Sequence, residues 1–303
     1  MALTNSKIVV CAYHNVGYRC IGELLRQGAE ISLIFTHEDS PTEEIWFQSV
    51  RGLAEQNCIP YLTTDINDPE NVRLVKEIAP AFLLSFYYRN MIRSEVLATP
   101  LRGALNLHGS CLPKYRGRVP VNWAVINGET ETGATLHYMV EKPDAGDIVD
   151  QEKVPITFTD TAQDVFVKVT DAAVTVLSRA WPLLRDGLAS RIPMNLADGT
   201  YCGGRKPADG RIDWGKSAVQ IYNLVRGVTH PYPGAFTYLD GKKVTIWQAC
   251  PVDGSGESGH ILSRKPLVVG TGEGLLEIRS LQFEGEDEKQ ASDAVTADVL
   301  NFD

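Results

Sequence analysis

This chain lacks most of the signals that would place it outside the soluble enzymes. No run of about 18 apolar residues occurs, the length a membrane-spanning helix needs, so no membrane insertion is expected. The apolar run after Lys7 is six residues long, which suits a first strand and is too short for a signal-peptide core. Cysteine is sparse. Six are scattered with no CxxC pair, so metal-site spacing is missing and no metal is expected. Free thiols without a secretion signal fit a reducing cytoplasm. Positive charge is in deficit: 29 Lys and Arg face 38 Asp and Glu, a net charge of -9. A field of that sign does not gather nucleic acid, and no nucleic-acid partner is expected. The turn after the first strand holds no G-x-G-x-x-G, since Gly17 and Gly22 do not form it, which disfavours a dinucleotide oxidoreductase. Internal repeats and low-complexity tracts are absent as well.

What remains is an ordinary globular composition, 44% hydrophobic and 22% charged, in 303 residues. That length carries a full core and suggests about two domains. Residues 7–13 read as a strand, 18–27 as a helix closed by Gly28, and 31–36 as a second strand. This βαβ start implies a parallel sheet. His14, in the first turn, either lines the crevice at the strand ends or caps the turn. A helix over 43–57, a strand over 59–62 and a helix over 68–78 ended by Pro80 follow. Residues 81–87 are apolar throughout, as in a buried central strand. Ser94 is placed to cap a short helix through Leu97. Residues 121–127 read as a helix, 132–139 as an alternating strand, and 162–184 as a long amphipathic helix capped by Asp160 or Thr161.

After an irregular, polar stretch over 187–205 the pattern changes. A helix over 217–228 precedes short strands at 235–239, 242–249, 266–270 and 275–281, separated by Gly-rich turns. That alternation predicts a small, OB-like β-barrel domain. A short helix is placed at 291–300. The expected organisation is a Rossmann-like α/β domain over 1–190, a linker over 191–205 and the OB-like domain over 206–303.

The chemistry concentrates in GALNLHGSCLPKYRGRVP, residues 103–120. Asn106 and His108 are spaced i, i+2, so on a strand both point to one face. Gly109 and Ser110 break that strand, and Lys114, Arg116 and Arg118 are interleaved beyond it. An amide donor and an imidazole at a strand end, beside cations, could receive an oxyanion, as acyl transfer requires. A bare N-x-H pair on a strand is more often structural. A second loop, Val140-Glu141-Lys142-Pro143-Asp144-Ala145-Gly146, brackets Asp144 between Pro143 and Gly146. A carboxylate there could face His108 and raise its pKa, although an Asp in that setting is commonly a turn residue. Tyr88 to Ile92 ends the apolar strand, where backbone groups could bind a flat heterocycle or simply start the next helix.

Taken together, LNLHGSCLPKYRGRVP (105–120) and DAG (144–146) resemble the folate-dependent formyltransferases, and the resemblance covers nearly the whole chain. It implies that Asn106, His108 and Asp144 are the catalytic trio. It also implies that Asn90, Met91 and Ile92, with Val140, Glu141, Lys142, Pro143 and Asp144, contact the folate, largely through backbone. Arg118 matches a folate-site residue, though an arginine could equally meet a pyrophosphate. The implied co-substrate is 10-formyltetrahydrofolate, with no metal. Segments such as AYHNVG, SFYYRNMI and HPYPGAF are most similar to the branch that formylates the 4-amino group of UDP-4-amino-4-deoxy-L-arabinose. A nucleotide-sugar partner is therefore expected, and a homo-oligomer is compatible with the family. Three alternatives stand beside this reading. A tRNA acceptor conflicts with the acidic charge. A hydrolase releasing formate would use the same trio. A folate-binding module would bind without turnover.

Overall fold

The computed structural model describes residues 7–40, 45–295 and 301–303. In chain order the strands and helices are β1 (Lys7–Ala12), α1 (His14–Arg26), β2 (Glu30–Phe35), α2 (Val50–Gln56), β3 (Tyr61–Leu62), α3 (Pro69–Ile78), β4 (Phe82–Phe86), α4 (Ser94–Leu97), β5 (Gly103–His108), β6 (Arg116–Gly117), α5 (Pro120–Ile126), β7 (Glu131–Tyr138), β8 (Ile148–Pro155), α6 (Ala162–Asp186) and β9 (Tyr201–Cys202). Then come α7 (Ala218–Val228), β10 (Ala235–Leu239), β11 (Lys242–Val252), β12 (Ile261–Arg264), β13 (Leu267–Gly270), β14 (Leu275–Phe283), β15 (Lys289–Gln290) and α8 (Ala291–Ala294). The chain divides into two compact units. The first is Met1–Pro120, Thr132–Val154 and Val167–Cys202; the second is Val121–Glu131, Pro155–Phe166 and Gly203–Asp303.

The first unit is built on a seven-stranded sheet in the order β3-β2-β1-β4-β5-β7-β8. Its β1, β2, β3, β4 and β5 pair in parallel, as the βαβ pattern predicts. β1 and β4 are almost wholly apolar because they lie inside the sheet, covered on both faces. One apolar cluster packs Val9, Cys11, Phe35 and Leu83 against Val72 and Val75 of α3. β7 departs from the parallel pattern and runs antiparallel to β5, pairing Asn106 with His137 and His108 with Thr135. That reversal brings a second polar strand face beside the Asn106-x-His108 pair.

Local chemistry explains where the elements differ from the sequence reading. α1 starts at His14, so the expected turn is its first residues. α2 starts only at Val50, because Ser49 caps it by accepting from the Gly52 N–H at 3.1 Å; residues 43–44, the start of the stretch assigned to this helix, lie outside the described residues. Ser94 lies inside α4 and makes no capping bond there; the capping position is Arg93. Thr161 caps α6, accepting from the Asp164 N–H at 3.2 Å while Asp164 accepts from the Thr161 N–H at 2.9 Å. The stretch read as irregular, 187–205, supplies β9, which pairs in parallel with β6.

The second unit carries an antiparallel sheet, β10-β11-β14-β13-β12, with β15 paired to β14. This is the all-β domain expected from the short strands, and β12 is a strand the sequence reading did not mark. The hydrogen-bonding path ends at β10 and β12, so among the described residues the sheet does not close into a complete barrel. α7 closes its apolar side: Ile221, Tyr222 and Val225 join Val244, Ile246, Leu276 and Ile278 in one core cluster. Ser217 and Gln220 form a reciprocal capping box at its start. Residues 296–300, part of the expected C-terminal helix, lie outside the described residues, and α8 covers only Ala291–Ala294.

Candidate active site

The site is assembled at the carboxyl end of β5. Leu105 and Leu107 face the core with essentially no exposure, so alternation sends Asn106 and His108 to the opposite face. The turn after β5 is held rigid by Thr135. Its hydroxyl donates to Ser110 O at 2.6 Å and accepts from Leu112 N–H at 3.1 Å and from Gln151 Nε2 at 2.8 Å. Ser110 in turn donates to Lys114 O at 2.6 Å. These bonds deliver the carbonyl of Tyr115, itself in the left-handed region at φ 57, to His108. The His108 Nε2–H donates to Tyr115 O at 2.7 Å. A carbonyl can only accept, so the proton on that nitrogen is assigned by its partner.

Asp144 sits in the loop between β7 and β8, also left-handed, at φ 49. Its Oδ2 accepts from the Gly117 N–H at 2.9 Å. Its Oδ1 is surrounded more loosely, by Asn106 Nδ2 at 3.4 Å, His137 Nε2 at 3.5 Å and His108 Nδ1 at 3.6 Å. Asn106 Nδ2 also lies 3.3 Å from His137 Nε2. His137 donates its Nδ1–H to Tyr138 O at 2.9 Å. Each imidazole therefore spends one N–H on a backbone carbonyl and turns its second nitrogen towards the same carboxylate oxygen. The structure thus brings Asn106, His108 and Asp144 together, as the resemblance implied.

Electrostatics separate the members of the cluster. Burial would raise the Asp144 carboxyl, but His108, His137 and the Gly117 N–H outweigh it and hold the pKa well below the usual carboxylate range. For His108 burial is the largest effect and lowers the pKa. Asp144 and the Tyr115 carbonyl pull upward, His137 pulls down, and the result lies below the ordinary 6.5. Asp144 acts in the expected direction without prevailing, because the imidazole is only 7% exposed and its charged form has lost water. The resting pair is an ionised Asp144 and a neutral His108 whose Nδ1 carries a lone pair.

His137 is the residue sequence reasoning missed. It stood in the alternating strand as one member of a face. Its only signal was the polar pair Thr135 and His137, spaced i, i+2 on one face of the strand. Recognising it required the antiparallel pairing of β7 with β5.

The remaining candidates are spread more widely. Asn90, Met91 and Ile92 form the loop after β4. Met91 is exposed, whereas Ile92 packs beside Leu97 and Met139 against the apolar cluster of the unit. The Asn67 amide pins this loop, donating to Met91 O at 2.8 Å and accepting from the Arg93 N–H at 2.9 Å. Val140, Glu141 and Lys142 are exposed and Pro143 is half-buried. Arg118 is exposed at the end of β6, where its N–H donates to Cys202 O at 3.0 Å. A cavity of about 270 Å³ is lined by Leu97, Ala104, Met139, Val140, Ala145 and Gly146, among others. Of the expected folate contacts only Val140 reaches its wall. Among the described residues no group of three or more His, Cys, Asp or Glu could hold a metal ion. None of the six cysteines forms a disulfide, and no helix of the described residues is long and apolar enough to cross a membrane.

An amide, two imidazoles and a carboxylate gathered at the end of a central strand can stabilise an oxyanion and move a proton, as acyl transfer requires. The chain belongs to the formyl transferase family: the family pattern matches residues 23–181, and that of the formyl transferase C-terminal domain matches residues 205–298. Among solved structures it is similar to an N-formyltransferase from Helicobacter canadensis in complex with folinic acid and dTDP-3-aminofucose (17% identity, TM-score 0.72, 91% of this chain and 99% of that one). It is similar also to WlaRD, a sugar 3N-formyl transferase crystallised with dTDP and 5-N-formyl-THF (18% identity, TM-score 0.70, 93% and 98% covered). A third is HypX from Aquifex aeolicus in complex with tetrahydrofolic acid (18% identity, TM-score 0.65); the match covers 99% of this chain and 51% of HypX, so this chain spans about half that protein's length. At these identities the likeness is one of fold.

Proposed function

We propose that this enzyme transfers the formyl group of 10-formyltetrahydrofolate to the amino group of a nucleotide-linked amino sugar, with UDP-4-amino-4-deoxy-L-arabinose as the acceptor. The observation that carries the chemistry is the convergence of Asn106 Nδ2, His137 Nε2 and His108 Nδ1 on Asp144 Oδ1. The acceptor is supported by the segments that resemble the UDP-aminoarabinose branch. Two similar folds, crystallised with dTDP-3-aminofucose or dTDP together with a formyl-folate, support the coarser reading of a nucleotide-linked amino sugar. The net charge of -9 favours a small acceptor over tRNA.

Each residue has a distinct task. Asn106 Nδ2 holds its present partners at 3.3 and 3.4 Å, longer than an ordinary hydrogen bond. It therefore gives up little in donating to the oxyanion that develops when an amine adds to the formyl carbonyl. His108 Nδ1, unprotonated at rest, accepts the proton the amine sheds. Asp144 stabilises the imidazolium so formed, and His108 passes the proton to the departing folate nitrogen. One C–N bond forms and one breaks, so no electrons need be supplied. His137 fixes the orientation of Asn106 and Asp144. The Asn90 to Ile92 and Val140 to Asp144 segments supply backbone donors and acceptors to the folate. Arg118, exposed just after β6, meets the polar end of one substrate.

The test is a transfer assay read by product mass, with 10-formyltetrahydrofolate and parallel acceptors: UDP-4-amino-4-deoxy-L-arabinose, other nucleotide-linked amino sugars and charged initiator tRNA. Formylation of the UDP-aminoarabinose alone is expected. Formylation of another sugar moves the acceptor and keeps the mechanism. Product only on tRNA, or formate released without acceptor, defeats the reading.

A further inference from the structure

Two arginines of the described residues are buried to a similar degree, and they are treated differently. Arg226, 6% exposed, is satisfied in the ordinary way: its Nε donates to Asn223 Oδ1 at 2.9 Å, and its Nη1 donates to the carbonyls of Asp160 at 2.7 Å and Thr157 at 3.2 Å. Arg116, 8% exposed, has no such set. Its Nε and Nη1 are buried without a hydrogen-bond partner, and it makes no ion pair among the described residues. Its guanidinium faces the ring of Tyr201, 6.0 Å from Cζ to centroid, at the outer limit of a cation–π contact. An arginine stays charged at any working pH, so burial without partners leaves a desolvated cation uncompensated. Folding gains nothing from such a group, which points to a partner that arrives from outside the chain.

Its place in the chain says where that partner would sit. The carbonyl just before Arg116, that of Tyr115, accepts from His108, and the N–H just after it, that of Gly117, donates to Asp144. Arg116 therefore lies between the two peptide groups that hold His108 and Asp144. Pairing with β9 fixes that strand, the Arg116 N–H donating to Thr200 O at 3.0 Å. We propose that Arg116 is the receptor for an anionic group of a bound substrate, a phosphate or a carboxylate, docked beside the Asn106–His108–Asp144 cluster. A planar guanidinium with unspent N–H donors recognises both groups. Resting on the formyl-transfer reading, the two sources are the diphosphate of the nucleotide sugar and the glutamate carboxylates of the folate. Because the peptide groups on either side of Arg116 bond His108 and Asp144, an anion on Arg116 also braces the groups that orient them.

The experiment compares wild type with Arg116→Met and Arg116→Lys by calorimetric titration at fixed ionic strength. One arm uses UDP and inorganic pyrophosphate, the other folinic acid. Arg116→Met is expected to weaken one arm tenfold or more and leave the other within twofold; the arm affected names the source. Arg116→Lys, which keeps the charge and loses the fork, is expected to fall between. The unliganded melting temperature of Arg116→Met is expected to match or exceed that of wild type, since its loss strands no partner. Unchanged affinity in both arms overturns the proposal, as does an unliganded Arg116→Met and Arg116→Lys pair that both melt well below wild type. Wild type that transfers formyl while both variants bind normally would defeat this proposal and keep the function. Anion binding lost with Arg116 in a protein that transfers no formyl would do the reverse.

Discussion

Asp144 places one oxygen under a backbone N–H and leaves the other among three nitrogens at 3.4 to 3.6 Å. That asymmetry fixes the carboxylate and keeps its neighbours free to move protons. Replacing Asn106 or His108 by Ala is expected to reduce turnover by about 10²–10³, the usual loss for one oxyanion donor or proton-transfer group. Circular dichroism and melting should stay close to wild type; wild-type-like rates in either variant would sink the assignment. His108 sits below 6.5 through burial, so the acid limb of the pH–rate profile is expected below that value. Asp144 pulls the His108 pKa upward, so Asp144→Asn is expected to shift that limb to still lower pH. A limb that stays put, or moves to higher pH, would remove Asp144 from the role. Asn106, His108 and Asp144 were legible through the resemblance of 105–120 and 144–146 to the formyltransferases; their types and spacing alone left a structural reading open. His137 was not, because nothing local distinguishes it from any histidine on an alternating strand.

At the scale of elements, the pairing of β6 with β9 does more for the site than its two residues suggest. Gly117, at φ +99, adopts a conformation that L side chains rarely reach, and a Cβ there would collide with the Cys202 carbonyl oxygen. Gly117→Ala should therefore part the two strands and withdraw the N–H that holds Asp144. A loss of more than about 1 kcal/mol in denaturant unfolding is expected, accompanied by lower kcat. Full activity at wild-type stability would show that the β6–β9 ladder does not position the carboxylate. The sequence reading took 187–205 as irregular, and for a physical reason. Strands of two residues carry no periodicity, and a parallel partner 85 residues away leaves no local trace. The long elements, β1, β4 and α6, were visible because apolar runs and 3.6-residue spacing extend over many positions.

Across the whole molecule, three histidines are held neutral. His14 is pulled from 6.5 down to about 3 by burial and then by Arg89. His37 is lowered by burial and by Arg89, and its Nε2 accepts from the Arg89 N–H at 3.0 Å, a bond only the unprotonated nitrogen can make. His108 is the third. Folded pKa values below the unfolded value mean that the unfolded chain binds more protons in acid. Stability should then fall as pH drops from about 6.5, by up to roughly 1.4 kcal/mol per pH unit for each histidine titrating only when unfolded. Asp144 adds its own loss only below about 3.8, where the unfolded carboxyl protonates first. Urea midpoints between pH 7 and 4.5 check this. His14→Asn, which tolerates the left-handed φ of 65, should flatten the slope, and a midpoint constant over that range would contradict the burial account.

By itself the sequence determined the apolar strands, the capped helices and the parallel start of the sheet. These follow from periodicity, turn chemistry and residue type, which act over a few positions. The Asn106, His108 and Asp144 cluster was legible through the resemblance of 105–120 and 144–146 to the formyltransferases. Only the tertiary structure decided that β7 runs antiparallel to β5 and so sets His137 opposite Asn106. It also decided that burial outweighs Asp144 at His108, and that Arg116 is enclosed without a partner. Register, desolvation and the pairing of buried charges depend on segments far apart in the chain, and their energies exist only once those segments have met.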